Sequence, residues 1–197
     1  VPVLHSLRHY LLYLAGLARA ETQTSPAEQE AIARHARGRR QCVEIGVWHG
    51  VNTLRIRRAM AEDGVLWAVD PFPAGRLGFS IPERIARAEV ARSSRGAVLW
   101  MRCASAEAAR RRENPVDFIF IDGDHSYEAL RTDWESWSPK LEPGGMVLLH
   151  DSRATPRRPI ETAGSVRFTR EVILADPRFE TVETVETLTV LRRRGVP

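Results

Sequence analysis

Asp117-Phe-Ile-Phe-Ile-Asp-Gly-Asp-His-Ser-Tyr-Glu128 decides the fold of this chain. Val116 and Phe118 to Ile121 make a short apolar run rich in β-branched and aromatic residues, the pattern of a buried strand. Asp122, Asp124 and His125 follow at once, around Gly123. In an open α/β sheet, ligands bind beyond the carboxyl ends of the strands, so the chemistry is expected here. A strand entering a polar turn and an N-capped helix would account for one aspartate and for Ser126. It gives no reason for Asp-Gly-Asp-His together.

Outward from that run, the chain alternates. Strands are expected over 42–45, 65–69, 97–101, 116–121 and 146–149. Helices are expected over 50–61, 82–93, 105–112 and 127–137. Such alternation implies βαβ units and a parallel, doubly wound sheet with helices on both faces. A helix over 165–175 and two β-rich runs, 179–185 and 187–191, end the pattern as an antiparallel hairpin. Ahead of the sheet, residues 1–38 read as a helical extension on a core domain of 39–197. Its first helix, 3–19, carries a stripe of Leu4, Leu7, Leu11, Leu14 and Ala18. Ser25-Pro-Ala-Glu28 is a capping box that opens a second helix.

Composition narrows the function classes. With 197 residues, 43% hydrophobic and 27% charged, the chain suits one soluble domain. Its net charge of +4 is carried by scattered arginines, Lys140 being the only lysine. No basic stripe with interleaved aromatics is present, so nucleic acid is not an expected partner. The apolar stretch 10–18 is too short to span a bilayer, and no membrane role is expected. Ala18-Arg-Ala20 has the small-residue look of a signal cleavage site, but the leucine stripe favours a helix. Cys42 and Cys103 lack CxxC spacing, which fits a reducing, cytoplasmic setting without disulfides. The stripe suggests a helix packed between subunits, hence a homodimer.

Glu44-Ile-Gly-Val-Trp-His-Gly50 links the first strand to its helix. Gly46 and Gly50 allow a sharp turn and a close approach to a ligand. Trp48 stands where a dinucleotide fingerprint needs glycine, which argues against a pyrophosphate on this turn. Glu44 repels phosphate and favours a cationic amino group. Asp70, ending the second strand, suits ribose hydroxyls. The small Ala104-Ser-Ala106 suits a flat adenine edge. Together these point to an adenosine-bearing ligand.

Glu44–Gly50, Asp70, Asp122-Gly-Asp-His125 and Pro143-Gly-Gly-Met-Val-Leu-Leu-His-Asp151 resemble class I S-adenosylmethionine-dependent methyltransferases. The likeness is to the catechol O-methyltransferase-like group with its macrocin O-methyltransferase and cephalosporin-hydroxylase-like relatives, over about residues 40–194. The resemblance implies a Rossmann-like sheet of seven strands, mostly parallel, with the hairpin at one edge. It implies that Glu44, Gly46, Trp48, Gly50 and Asn52 surround the methionine moiety of S-adenosyl-L-methionine. Asp70 would then hold the ribose, Ser105 and Ala106 would border adenine, and Asp122 would lie between cofactor and metal.

If the strands ending in Asp122 and Asp151 are neighbours, their ends lie about 5 Å apart. Two carboxylates there call for a cation or a proton. Metal-dependent relatives place a divalent ion, magnesium or manganese, at these positions. The third ligand here would be His150 or Ser152, where relatives carry Asp or Asn, and a histidine favours a softer ion. An imidazole titrates near neutrality, so His125 is the expected general base, with Asp124 orienting it or the substrate. The expected reaction is O-methylation of a small-molecule hydroxyl. The acceptor pocket is expected from residues 72–82, Trp134 or Trp137, 153–164 and the N-terminal helices. His5, His9 and His35 read as surface residues, and Arg153, Arg157 and Arg158 as a solvated loop. The rivals are a nicotinamide-dependent oxidoreductase, a non-catalytic cofactor-binding protein of the same fold, and an RNA methyltransferase supported only by the basic charge.

Overall fold

In the computed structural model, which describes residues 3–76 and 78–195, seven strands form one sheet. They are β1 (Gln41–Ile45), β2 (Val65–Val69), β3 (Ala97–Met101), β4 (Val116–Ile121), β5 (Leu141–Leu149), β6 (Phe179–Val185) and β7 (Leu188–Arg193). The order is β3-β2-β1-β4-β5-β7-β6. β1 to β5 are parallel, and β7 pairs antiparallel with both β5 and β6. The expected Rossmann-like sheet with an edge hairpin is present. Its order reverses between β1 and β4, which makes their carboxyl ends the switch point where ligands bind.

Alternation along the strands builds two cores. Val43, Ile45, Ile119 and Ile121 face α5 (Ser105–Arg111), α6 (Tyr127–Trp137) and α7 (Gly164–Glu171). Cys42, Phe118 and Phe120 face α2 (Pro26–Ala36) and α3 (Val51–Ala59). α4 (Ile81–Val90) lays Ala86 on Ala68 and Phe72. β4 is buried at all six positions, as a strand covered on both faces must be. Each buried Phe or Ile there contributes about 1.5–3 kcal/mol relative to exposure. Asp117, the one charge in that strand, accepts from the backbone N–H groups of Arg40 and Gln41 at 2.7 and 2.9 Å.

α2 belongs to the core, with Ala31, Ile32 and Ala36 fully buried. Only α1 (Val3–Leu14) is appended, through the Tyr13 hydroxyl bonded to Glu89 at 3.0 Å and through packing on α4. It stops five residues short of the expected end. Gly16 takes a left-handed φ of 72°, and the Leu17 and Ala18 amides bond back to the Leu12 carbonyl. Leu4 and His5 lie outside the residues whose side chains are described. Leu11 and Leu14 of the stripe face outward, as does Leu17 beside it, whereas Leu7 and Ala18 are half-buried. Among the described residues, no helix is long and apolar enough to cross a membrane. Both cysteines are free. β5 begins five residues before the expected run, continuing through Pro143-Gly-Gly145. The expected helix over 165–175 divides into α7 and a 3-10 turn, Ile173–Ala175.

Candidate active site

The β1–α3 turn is shaped by glycine at two points. Gly46 has φ 85°, and a Cβ there would lie 2.2 Å from the Asp122 carbonyl oxygen. Gly50 has φ 75°, and a Cβ there would lie 2.9 Å from Ala86 Cα. Gly46 thus lets the ends of β1 and β4 touch, whereas Gly50 lets α3 pack on α4. Asp70 braces the turn. Its Oδ2 accepts from Val47 N and Trp48 N at 3.0 and 3.1 Å, and its Oδ1 from Phe72 N at 2.8 Å.

Two cavities meet at this turn. One, of about 500 Å³, is lined by Asp70, Ser105, Ala106, Asp124 and Asp133. The other, of about 290 Å³, is lined by Glu21, Thr22, Gln23, Asn52 and His125. Gly46, Trp48, Asp122 and Gly123 border both. A hollow of about 990 Å³ at the amino end of β5, among Arg178 and Arg192 to Gly195, contains none of the site residues. Asp133 went unnoticed in the sequence. It is buried on α6, and burial raises its carboxyl to about 6 despite the Ser105 hydroxyl.

Glu44 lies beneath the turn and lines neither cavity. It shares the face of Cys42, so it points into the sheet–helix interface, fully buried. Both its oxygens and the Thr53 hydroxyl lack a hydrogen-bond partner. Burial pushes its carboxyl well above the usual carboxylate range, and neither cavity reaches the acid expected to attract an amino group. The anionic wall of the shared border is Asp122.

β4 and β5 are neighbours, and Ile121 pairs with Leu149. Their ends bring Asp122, His125, His150 and Asp151 together. His150 Nδ1 meets Asp122 Oδ1 at 2.7 Å, and its Nε2 lies 3.7 Å from Glu28 Oε2. Burial alone would lower His150. The Asp122 bond and the Glu28 carboxylate outweigh it and raise the ring to about 10. Glu28 is likewise held at about 2, because His150, Thr187 and Ser25 overcome its burial. His125 Nε2 lies 3.5 Å from Asp151 Oδ2 and 3.9 Å from Asp122 Oδ1. Asp151 Oδ2 is bonded by Arg158. α7 buttresses the cluster. The Ser165 amide donates to the His125 carbonyl at 2.8 Å, and its hydroxyl to the Asp151 carbonyl at 2.6 Å.

This donor set does not fit magnesium. A hard ion takes anionic oxygens, but Asp122 already faces a buried imidazolium and Asp151 a guanidinium. Ser152, the alternative third ligand, is spent on Leu149 O, Thr187 O and Thr189 Oγ1 at 2.7–3.0 Å. Within this cluster, Asp122, His125 and His150 lie close enough to one another to share a softer ion.

Residues 43–152 match the methyltransferase domain family. That is more than half of the chain, and it takes in the larger cavity and Asp122, His125, His150 and Asp151, but not Glu21 to Gln23, Glu28 or Arg158. The chain belongs to the methyltransferase domain family. An uncharacterised protein of Sinorhizobium fredii, y4gI, is 32% identical over 128 residues, 60% of this chain and 14% of that protein. This methyltransferase domain therefore spans only a small part of that curated relative. Among solved structures, a Corynebacterium glutamicum protein has a TM-score of 0.71 at 18% identity, covering 100% of this chain and 93% of that one. An O-methyltransferase of Bacillus cereus in complex with S-adenosylhomocysteine has a TM-score of 0.63 at 21% identity, over 98% and 93%. The Streptomyces achromogenes O-methyltransferase TomG, in complex with S-adenosylmethionine, has a TM-score of 0.66 at 16% identity, over 96% and 89%. At these identities the likeness is one of fold.

Within this methyltransferase domain, several expectations need correction. Trp134 and Trp137 are core residues, the first against Phe179 and the second donating to Ser105 Oγ at 2.9 Å, so neither borders an acceptor. The Asp124 carboxylate accepts from Ser126 N at 2.8 Å and lines the larger cavity, away from the cluster. His9 stacks on His49, and His35 pairs with Glu183 at 2.9 Å, so neither is a free surface residue. Arg158 is part of the site rather than a solvated side chain. Replacing Glu28 by glutamine can keep the Thr187 bonds, but it removes the charge facing His150 and turns an amide NH2 toward Ser25 N, ending the capping-box bond. In urea denaturation it is expected to cost about 1–3 kcal/mol. An unchanged midpoint would show that the buried pair is neutral.

Proposed function

We propose that the chain transfers a methyl group from S-adenosylmethionine to a hydroxyl of a small molecule, with His125 as general base. The observation that carries this reading is the His125 imidazole beside Asp122 and Asp151, opening onto a cavity that shares its Gly46–Trp48 wall with a second, larger one. The larger cavity suits adenosine. Asp70 lies where a ribose hydroxyl would reach its one remaining lone pair, Ser105 and Ala106 offer a flat small-residue wall, and Asp133 faces in to accept from an amino group. Asp122 at the shared border suits the ammonium of the methionine end.

The sulfonium supplies an already activated methyl group, so the protein must align the acceptor and remove its proton. His125 takes that proton, and the carboxylates of Asp151 and Asp122 stabilise the imidazolium that results. The acceptor oxygen forms its bond to the methyl carbon as the carbon–sulfur bond breaks, with the electron pair leaving on sulfur. His150 and Arg158 supply the positive charge that a divalent ion supplies elsewhere. The Bacillus and Streptomyces O-methyltransferases of the same fold support the choice of oxygen as acceptor.

Calorimetric titration with S-adenosylhomocysteine and with a nicotinamide dinucleotide tests the cofactor. Binding of the first alone is expected. Binding of neither would remove the reading and leave a non-catalytic relative. Asp70→Ala is expected to weaken S-adenosylhomocysteine binding roughly tenfold to a hundredfold, the loss of charge-assisted bonds. Equal affinity would move the ribose off Asp70. We also propose a homodimer seated on the outward Leu11, Leu14 and Leu17 of the N-terminal segment. Sedimentation at micromolar concentration is expected to show twice the 22.2 kDa chain mass, and Leu14→Asp to halve it.

A further inference from the structure

We infer that His9, Glu21 and His49 form a binding site for a zinc-like divalent ion, separate from the Asp122 cluster, which clips the N-terminal segment onto the β1–α3 turn. The three residues come from α1, from the linker after it and from the glycine turn, and one donor atom from each lies within 4.8 Å of the others. Glu21 holds its two carboxylate oxygens toward the two rings, Oε1 at 3.6 Å from His9 Nδ1 and Oε2 at 3.8 Å from His49 Nδ1. Both separations are too long for hydrogen bonds. They are close to what a shared ion requires, since donors about 2.0–2.1 Å from a tetrahedral zinc lie about 3.3 Å apart.

The His9 and His49 rings are stacked nearly parallel, at 7° and 5.4 Å between centroids, and Trp48 stacks on His49 at 4.5 Å, so one ring must tilt for both Nδ1 lone pairs to converge on an ion. The buried Nε2 of His9 has no partner. His49 Nδ1 accepts the Glu21 backbone N–H at 3.1 Å, which places a lone pair on that nitrogen. An ion would take that lone pair and release the N–H of an exposed linker residue to water. Two imidazoles and one carboxylate with water in the remaining position suit zinc, cobalt or nickel and not magnesium. Because Glu21, Thr22 and Gln23 line the smaller cavity, the ion would fix one wall of it.

The test is zinc titration of the EDTA-treated, desalted full chain by calorimetry, with bound metal counted by mass spectrometry. Wild type is expected to take up one zinc at micromolar concentration or tighter, and to retain it in His125→Ala. His9→Ala and Glu21→Gln are each expected to bind at least roughly tenfold more weakly. Circular dichroism melts establish that the variants are folded, and Glu21→Gln sits on an exposed linker where packing is not at stake. Zinc is also expected to slow tryptic cleavage after Arg19 in wild type but not in His9→Ala. No zinc uptake by wild type would overturn the site. So would uptake unchanged in His9→Ala and Glu21→Gln, or lost only in His125→Ala, which would place the ion on the Asp122 cluster.

Discussion

His125→Ala is expected to lower the turnover of methyl transfer by about 10²–10⁴-fold, the usual contribution of a positioned general base, while S-adenosylhomocysteine binds as before. The side chain stands between the end of β4 and the start of α6, over a third exposed, so an acceptor can reach it. Its backbone is fixed by the Ser165 amide, and its Nε2 faces two carboxylates at 3.5 and 3.9 Å. Those carboxylates are what distinguish it from a histidine that merely begins a helix. The cofactor contacts assigned to Asp70, Ser105 and Asp133 lie in the other cavity, so binding and turnover separate. Asp124→Asn is the natural comparison. Its carboxylate is already spent on Ser126 N, and its loss should fall well short of that of His125→Ala. Turnover that survives His125→Ala would give the proton to another group. Turnover and binding falling together would make His125 a cofactor residue.

The sheet was legible because its signals are local. β2, β3, β4 and β6 occur at the bounds that apolar and β-branched runs imply. The paired carboxylates were legible for the same reason, since Asp122 and Asp151 end two strands that a doubly wound topology makes neighbours. What neutralises them was not. Glu28 reads as the third member of a capping box, and it is one, bonding Ser25 N at 2.8 Å. Its other oxygen bonds Thr187, 159 positions away, at 2.7 and 2.9 Å. Arg158 sits in a stretch with Arg153 and Arg157, and nothing in its neighbours says which arginine turns inward. Such pairings are set by how elements dock. The same holds for Trp134 and Trp137, whose side of α6 is chosen by the sheet, and for Asp133 beside them, which that choice leaves at the cavity wall.

The two cations also bear on why the third-ligand position departs from that of metal-dependent relatives. A histidine at 150 that ligated an ion would have to be neutral and would have to give up its proton to Asp122. Here the Asp122 bond and the Glu28 carboxylate hold the proton on the ring against its burial, so the departure at 150 and the capping box at 28 belong to one arrangement. Breaking it from the Glu28 side leaves a buried charge without its partner. This is why the stability test at Glu28 reports on the electrostatics of a site that Glu28 does not itself enter.

Gly46→Ala is expected to abolish measurable S-adenosylhomocysteine binding, with a loss of roughly a hundredfold or more. An alanine at φ 85° meets a conformation that costs an L-residue about 1–2 kcal/mol. The larger effect is steric. The added Cβ would lie 2.2 Å from the Asp122 carbonyl oxygen and 2.8 Å from Gly123 N, both of them backbone atoms. No rotamer change relieves such a contact, so β1 and β4 must part at their carboxyl ends. That is where the two cavities share a wall, and the movement would carry Asp122 away from His150 and from the cofactor's methionine end together. Gly50→Ala is the matched control. It too has a positive φ, but its new Cβ would press on Ala86 in the α3–α4 contact, so it should lower the melting temperature and spare affinity more. Equal affinities for Gly46→Ala and wild type would show that the turn yields without moving Asp122, and the cofactor would have to lie elsewhere.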